Sequence, residues 1–279
     1  MFDFGLAGKV IMITGGGSGI GRQTALLAAG DKARVVVCDT NGDSAQAVCG
    51  EIRSAGGDAM AAVFDVTDRD ATEASVEDVE SGFGPLDGLV AAAGISRPGR
   101  AEDLSIELWN TVIAVNLTGV FISCQAVGRR MIDRGRGAIV AIASGDALGG
   151  HAGRAHYCAS KYGVVGLVQT LAIEWGRYGV RVNATAPGAV DTPMLRGGVP
   201  TDFIEGVMVD RTPMGRLASA ADQARGCLFL LSEAAGFING AVLPVDGGAT
   251  AGYLTRWSGA DYASNALAAS GVYAPSGPE

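Results

Sequence analysis

The sequence predicts an α/β domain built on a doubly wound parallel sheet. Seven short runs of β-branched and apolar residues alternate with longer stretches of helical character. Most of these runs are continuously apolar, which is typical of strands that helices cover on both faces. Hydrophobic residues make up 48% of the 279 residues and glycines number 43. The chain can therefore fill a large core and form many tight strand–helix turns.

The predicted elements follow one another without an internal repeat or linker up to residue 248. The strands span 10–14, 34–39, 59–64, 88–92, 138–143, 180–186 and 241–245, and the helices span 19–30, 42–55, 69–82, 107–134, 157–178 and 219–233. Right-handed crossovers place the helices on both faces of the sheet. We predict a single domain over residues 1–248 and a C-terminal extension over 249–279. The extension holds four spaced aromatic residues and is either a loose tail or an arm that docks on a neighbour.

Composition excludes several classes of protein. Lys and Arg number 21 against 29 Asp and Glu, a net charge of −8, without the basic excess of a nucleic-acid binder. The N-terminus has no signal-peptide pattern, and the most apolar window, 112–127, is interrupted by polar residues and is interpreted as a buried helix. The five cysteines lack CxxC spacing, which favours reduced thiols and no metal site. We expect a cytoplasmic protein without nucleic-acid, membrane or metal partners.

A glycine-rich turn, Thr14-Gly15-Gly16-Gly17-Ser18-Gly19-Ile20-Gly21, follows the first predicted strand and opens the first predicted helix. Glycines permit a sharp turn and let a pyrophosphate approach the backbone, while the helix N-terminus supplies free N–H groups and a partial positive charge. A glycine string alone is weak evidence, but its position at the first β–α junction makes the signal strong.

Asp39 ends the second predicted strand, 18 residues after Gly21. A carboxylate at this point accepts hydrogen bonds from an adenosine ribose and repels the 2′-phosphate of NADP. No arginine follows directly, since Thr40 and Asn41 come next. We therefore predict NAD as the cofactor; a simple strand-end turn is the alternative interpretation of Asp39.

Tyr157 and Lys161 begin a predicted helix at i and i+4, so the phenol and the ammonium share one helical face. Lowering the pKa of a tyrosine from about 10 by about three units requires roughly 4 kcal/mol of preferential phenolate stabilisation. A nearby lysine together with a positively charged nicotinamide can provide it. The pair therefore predicts a general acid/base; an incidental pair on an exposed helix face is the alternative interpretation.

Two further polar residues accompany this pair. Ser144 ends the strand 138–143, where a hydroxyl can hold a substrate oxygen. Asn116 lies inside an otherwise apolar helix, so its amide needs a specific hydrogen-bond partner. A purely structural polar contact is the alternative interpretation of Asn116.

Further short segments complete a recognisable pattern. They are Asp65-Val66, Asn183, Pro187-Gly188, Thr192 and Asp246-Gly247-Gly248. With the glycine turn, Asn116, Ser144 and Tyr157-xxx-Lys161 they cover residues 8–248, and the chain resembles the single-domain branch of the short-chain dehydrogenase/reductase family. The resemblance implies a Rossmann-like seven-stranded parallel sheet in the order 3-2-1-4-5-6-7 and a homotetramer. It also implies that residues 1–248 form a dinucleotide-binding catalytic domain that interconverts a secondary alcohol and a ketone.

The resemblance implies a role for each matched residue. Tyr157 would be the general acid/base, Lys161 would bind the nicotinamide ribose and lower the tyrosine pKa, and Ser144 would orient the reacting oxygen. Asn116 would hold a water in a proton relay. The implied cofactor contacts are Gly15, Ser18, Gly19, Ile20, Gly21, Asp39, Asp65, Val66, Ala92, Gly94, Tyr157, Lys161, Pro187, Gly188, Val190 and Thr192.

The chain also departs from the family pattern. Ala91-Ala92-Ala93-Gly94 stands where the family has Asn-Asn-Ala-Gly, and the family does not explain the extension 249–279. A hydrolase is disfavoured because GxSxG is missing and only His151 and His156 are present, and an NTPase because GxxxxGK[ST] is missing. Enoyl reductases of the family space their Tyr and Lys more widely. A non-catalytic NAD-binding oligomer, a sensor or scaffold, stays open as an alternative.

The sequence indicates much less about the substrate than about the cofactor. Residues 189–217 are expected to lie over the site with an apolar face of Met, Leu, Phe, Ile and Val side chains. The predicted substrate pocket consists of Ser96, Asp146, His151 and Met194, of which Asp146 and His151 suggest a hydroxylated substrate. Three arginines of this region, Arg196, Arg211 and Arg216, are expected to face solvent or carboxylates rather than an anion.

Overall fold

Seven parallel strands form the central sheet of the computed structural model, which describes residues 4–252 and the backbone of two short strands at 256–257 and 260–261. The strands in chain order are β1 Val10–Thr14, β2 Arg34–Asp39, β3 Asp58–Val63, β4 Leu86–Ala91, β5 Gly137–Ile142, β6 Val180–Pro187, β7 Val190–Asp191, β8 Ala218–Ser219, β9 Val242–Val245, β10 Arg256–Trp257 and β11 Ala260–Asp261. The sheet order is β3-β2-β1-β4-β5-β6-β9. This is the predicted order, because β9 is the seventh of the predicted strands.

Helices cover both faces of the sheet. They are α1 Gly19–Gly30, α2 Gly42–Ser54, α3 Arg69–Gly82, α4 Ile106–Ile113, α5 Gly119–Arg134, α6 Ala155–Trp175, α7 Pro193–Gly198, α8 Thr201–Phe203 and α9 Ala220–Leu231. The alternation of side chains along each strand divides the core in two. Met12 packs in a cluster with α3, α5 and α6, whereas Ile11 and Ile13 pack in a second cluster with α1, α2 and α9.

The first two strands have the predicted ends, the other predicted strand ends differ by at most two residues, and some local features were not predicted. The helix expected over 107–134 is interrupted by a π-helical turn, Ala114–Thr118, between α4 and α5. The short strands β7 and β8 pair with each other outside the main sheet. Both are too short to leave a periodic signal in the sequence.

One described stretch, Ile106–Arg134, is long and apolar enough by composition to cross a membrane. Half of its most apolar window is buried inside the protein, which is the packing expected of a core helix. Four of the cysteines are buried as free thiols, whereas Cys158 is only half-buried. The predicted extension 249–279 lies outside the described residues beyond Gly252, apart from β10 and β11.

The order of the strands fixes where a site can form. From β1 the chain proceeds to β2 and β3 on one side, and then crosses to β4, β5 and β6 on the other side. The connections therefore diverge between β1 and β4, and a crevice opens there at the carboxyl ends of the strands.

Candidate active site

A cleft of about 1570 Å³ opens at this carboxyl edge. Every residue predicted to contact the cofactor borders it, and so do Ser144 and the four predicted substrate-pocket residues. Asn116 is fully buried and is not one of the described residues that border the cleft. The structure thus brings together nearly all of the predicted set. The described residues contain no cluster of His, Cys, Asp and Glu that could hold a metal ion.

The glycine turn forms one end of the cleft, and two of its glycines are required by close contacts. Gly15 has φ +64°, and a Cβ there would lie 2.8 Å from the Cα of Ala93. A Cβ on Gly21 would collide with the carbonyl oxygen of Gly15. At the start of α1, Ser18 makes no side-chain cap and the first turn holds no acidic residue. The free N–H groups of this helix end fit the pyrophosphate of a dinucleotide.

Asp39 is held firmly at the same end. Its Oδ2 accepts a hydrogen bond from the Gly17 N–H (3.0 Å), and its Oδ1 accepts one from the Asn41 N–H (3.0 Å). A Cβ on Gly17 would lie 2.8 Å from Asp39 Oδ2, so only glycine leaves room for this contact. Asp39 therefore starts a turn, as the alternative interpretation required, and also presents a fixed carboxylate to the cleft.

Tyr157 and Lys161 lie in the first two turns of α6, which begins two residues earlier than predicted. The Lys161 Nζ is 5.7 Å from the centroid of the Tyr157 ring and donates a hydrogen bond to the carbonyl oxygen of Ile142 (2.7 Å). Burial lowers the pKa of Lys161 to about 8. The ammonium is thus oriented by the end of β5 rather than by the phenol.

The pKa of Tyr157 lies above its ordinary value in this chain, mainly because burial disfavours the phenolate. A hydrogen bond with the Ser144 side chain and the positive charge of Arg154 lower the pKa, whereas Asp146 and Cys158 raise it. The sequence led us to expect a lowered pKa from Lys161 and a nicotinamide together. In the chain by itself burial outweighs Ser144 and Arg154, and Arg154 is a contributor that the sequence analysis missed.

Ser144 sits directly after β5 and begins a short 3₁₀ turn, Gly145–Ala147. Its Oγ accepts a hydrogen bond from the Asp146 N–H (3.1 Å), which fixes the rotamer of the serine. The serine is 9% exposed and borders the cleft beside Tyr157. A hydroxyl held in this way can hydrogen-bond the oxygen of a bound substrate.

Asn116 lies in the π-helical turn and is fully buried. Its Oδ1 accepts from the Ile95 N–H (2.8 Å), and its Nδ2 donates to the Ile95 carbonyl oxygen (2.9 Å). A weaker contact of 3.4 Å joins Nδ2 to Ser160 Oγ. The amide thus braces the chain after β4, as the structural interpretation expects, and its role in a proton relay stays a prediction.

Two of the predicted substrate-pocket residues pair with each other, and a third pairs with an arginine outside the predicted set. His151 Nδ1 lies 3.0 Å from Asp146 Oδ1, and Arg154 Nη1 donates to Ser96 Oγ (2.9 Å). Met194 is exposed at the mouth.

The three arginines of residues 189–217 behave differently from one another. As expected, Arg196 and Arg216 face carboxylates, those of Asp191 and Asp222. Arg211 instead borders the cleft.

Two further arginines of the cleft, Arg97 and Arg154, were not among the predicted site residues. The guanidinium of Arg154 lies 5.6 Å from the centroid of the Tyr157 ring. A signal for Arg154 was available, because it precedes Tyr157 by three residues at the start of the same helix and so points to the same face. Arg97 carries no comparable signal, since it lies in an irregular loop.

The chain is similar to known oxidoreductases in both sequence and structure. Residues 15–250 match the family model described as enoyl-(acyl carrier protein) reductase. The chain is 42% identical over 250 residues to the D-threitol dehydrogenase of Mycolicibacterium smegmatis, covering 89% of this chain and 95% of that protein. It is 41% identical over 246 residues to the cis-4-hydroxycyclohexanecarboxylate dehydrogenase of Sinomonas cyclohexanicum, covering 88% and 98%. The solved structure of a gluconate 5-dehydrogenase from Burkholderia cenocepacia J2315, in complex with NADP and tartrate, has a TM-score of 0.86 at 36% identity and covers 90% of this chain and 98% of that chain.

Proposed function

The chain belongs to the short-chain dehydrogenase/reductase family of oxidoreductases, and we propose that it interconverts a secondary alcohol and a ketone with NAD as redox partner. The observation that carries this proposal is the grouping of Tyr157, Ser144 and Lys161 on one wall of a cleft whose other end is the glycine turn. The spacing of Tyr157 and Lys161 supports carbonyl and alcohol chemistry rather than enoyl reduction.

Each of these residues has a definite task in the proposed reaction. When bound, NAD supplies the hydride acceptor for alcohol oxidation, and its reduced form supplies the donor for ketone reduction. Tyr157 takes the hydroxyl proton during oxidation and returns it during reduction. Ser144 orients the reacting oxygen, and Lys161 binds the nicotinamide ribose. Asn116, whose side-chain amide also braces Ile95, holds a water of the proton relay in this proposal.

The preference for NAD over NADP rests on the charges that line the adenosine end. Asp39 presents its carboxylate there, and the lining residues before residue 95 include no Lys or Arg. A 2′-phosphate would meet this carboxylate without a cation to neutralise it. NADP in the Burkholderia cenocepacia structure shows that a similar fold accepts the phosphate, so the preference of this chain depends on its own residues.

We also propose that the protein acts in the cytoplasm as a homotetramer. Apolar side chains lie exposed on the outer helices, among them Ile106 (63%) and Ile173 (81%), and Phe237 is fully exposed before β9. Burying such residues against other copies of the chain is favourable. Sedimentation equilibrium at micromolar protein tests the assembly: a tetramer mass is expected, and a monomer mass contradicts it.

Nicotinamide absorbance provides the test of the activity. The purified protein is assayed with NAD and NADP in parallel against cyclic, aryl, sugar and hydroxy-acid alcohols. Turnover with NAD that disappears in Tyr157→Phe is the expected result. If no alcohol is oxidised while NAD still binds, the proposed activity is wrong and the non-catalytic alternative gains.

A further inference from the structure

The charges that line the cleft are strongly divided between its two ends. Four cations, Arg97, Arg154, Lys161 and Arg211, border the end that holds Tyr157, and Asp146 is the one acidic residue among the described lining residues there. Four positive charges less one negative charge give a formal +3 at this end, whereas the whole chain carries −8. A cleft lined by one sign of charge concentrates ligands of the opposite sign.

Arg154 is the cation best placed to contact a substrate. It is half-buried, its Nη1 donates to Ser96 Oγ (2.9 Å), and its guanidinium lies 5.6 Å from the Tyr157 ring centroid. None of the described carboxylates forms an ion pair with it. A guanidinium holds five N–H donors, so most of them remain available beside the proposed catalytic tyrosine. Burying half of a cation costs solvation free energy, and an anion bound beside the cation offsets this cost.

The arginines elsewhere on the described surface are mostly paired. Arg196, for example, makes a bidentate contact with Asp191, at 2.8 and 3.1 Å. Arg97 and Arg211 are exposed where they border the cleft, and neither has a carboxylate partner among the residues that the structure describes. The three arginines that border the cleft therefore form a group with no carboxylate counter-ion among the described residues.

We propose that this group, the arginine cluster of Arg97, Arg154 and Arg211, selects an alcohol that also carries a carboxylate, so that the substrate is a hydroxy acid. The inference rests on the proposed function. Arg154 forms the charge-assisted hydrogen bonds to the carboxylate, and the two exposed arginines attract it to the mouth. Because Arg154 lies against the Tyr157 ring, the carboxylate sits within a few carbons of the reacting hydroxyl.

The test compares two alcohols that differ only in charge: cis-4-hydroxycyclohexanecarboxylate and the corresponding carboxamide. In the wild type we expect the acid to have the higher kcat/KM. Arg154→Gln should raise KM for the acid roughly 30-fold and leave KM for the carboxamide nearly unchanged. Arg154→Lys should restore part of the difference, because it keeps the charge but not the planar fork. Arg129→Gln, which removes a surface arginine paired with Glu73, is the matched control and should change neither substrate.

The same measurements separate a binding role from a structural one. If Arg154 served only to hold Ser96, then Ser96→Ala would have the same effect as Arg154→Gln. Both variants would then lower kcat/KM equally for the acid and the carboxamide. The Arg154 charge also lowers the Tyr157 pKa. In oxidation of the carboxamide, kcat/KM rises with pH as Tyr157 loses its proton. Arg154→Gln should therefore shift this rise to higher pH.

The outcomes that contradict the inference are distinct from those that contradict the proposed function. Equal kcat/KM for acid and carboxamide in the wild type overturns the inference and leaves the alcohol chemistry standing. A coenzyme A thioester of the acid lacks the free carboxylate but carries phosphates, so it tests which anion the arginines bind. A higher kcat/KM for the thioester than for the free acid overturns the carboxylate assignment. No NAD-linked turnover of any alcohol, charged or neutral, overturns both proposals.

Discussion

The two ends of the cleft are built in opposite ways. The end at the glycine turn, where we propose that the adenosine binds, consists of backbone N–H groups, tightly packed glycines and the carboxylate of Asp39, which already accepts two hydrogen bonds. The other end consists of side chains, including Tyr157, Ser144 and the arginine cluster, and most donors of that cluster are unused. The shape of the first end is set by the backbone, whereas the charge of the second end is set by side chains that single substitutions can change.

This difference teaches where specificity resides. A backbone cradle changes only when the chain itself moves, so glycine positions decide whether a dinucleotide fits at all. A group of side chains on an irregular loop, a helix start and the segment over the site can change one residue at a time. Relatives of similar fold with such different names as D-threitol dehydrogenase and gluconate 5-dehydrogenase accord with this division.

The largest effect is expected from Tyr157→Phe, which removes the proposed proton-transfer group and leaves the glycine-turn end of the cleft intact. We expect kcat to fall by at least about 100-fold, since positioned general acid/base catalysis contributes roughly 10²–10⁴. NAD affinity, measured by titration calorimetry, should stay within about threefold. A variant that keeps its turnover would show that Tyr157 is not the acid/base.

A pH effect on stability is expected from Lys161. Its folded pKa of about 8 lies below the ordinary value of 10.5, so the unfolded chain binds the proton more tightly. The charge therefore destabilises the fold below pH 8, and this penalty, roughly 3 kcal/mol, disappears as pH rises from 8 to 10.5.

Urea unfolding between pH 7 and 10 measures this effect. Relative to Lys161→Met, the wild type should gain stability with rising pH across that window. Lys32→Met, at an exposed lysine, is the control and should follow the wild type. Parallel curves for the wild type and Lys161→Met would contradict the lowered pKa.

The backbone end is broken most directly by Gly21→Ala. The added methyl group meets the Gly15 carbonyl oxygen, and we expect a loss of about 1–3 kcal/mol in unfolding free energy together with weakened NAD binding. Gly30→Ala, at the other end of α1, is the matched control because nothing lies within 4 Å of its Cβ. If the two variants bound NAD equally well, the tight turn would not be needed for the cofactor.

The smallest effect is expected from Asp39→Ala, which removes a fixed negative charge beside the glycine turn. The ratio of kcat/KM for NAD over NADP should fall about tenfold, since repulsion of the 2′-phosphate is lost while other contacts remain. Asp43→Ala, in the first turn of α2 and outside the cleft lining, is the control. An unchanged ratio in Asp39→Ala would assign the preference to other residues.

The sequence predicted the sheet and the position of the glycine turn well because their signals are local. Apolar runs determine the strands, and Gly15 to Gly21 lie at one β–α junction. The arginine cluster was less accessible, since its members come from residues 97, 154 and 211, and only the fold brings them together. The π-helical turn at Asn116 and the raised pKa of Tyr157 also depend on tertiary contacts and burial, which no single segment reveals.

The brace between Asn116 and Ile95 has a consequence for how substrate is admitted. The two hydrogen bonds fasten the chain just before Ser96 and Arg97 to a buried helical turn, so this wall resists displacement. On the opposite side, residues 193–208 contain only one buried side chain, Ile204. We therefore expect ligands to enter and leave the cleft beside residues 193–208, and we expect the rate of product release to depend on these residues more than on the braced loop at Ser96 and Arg97.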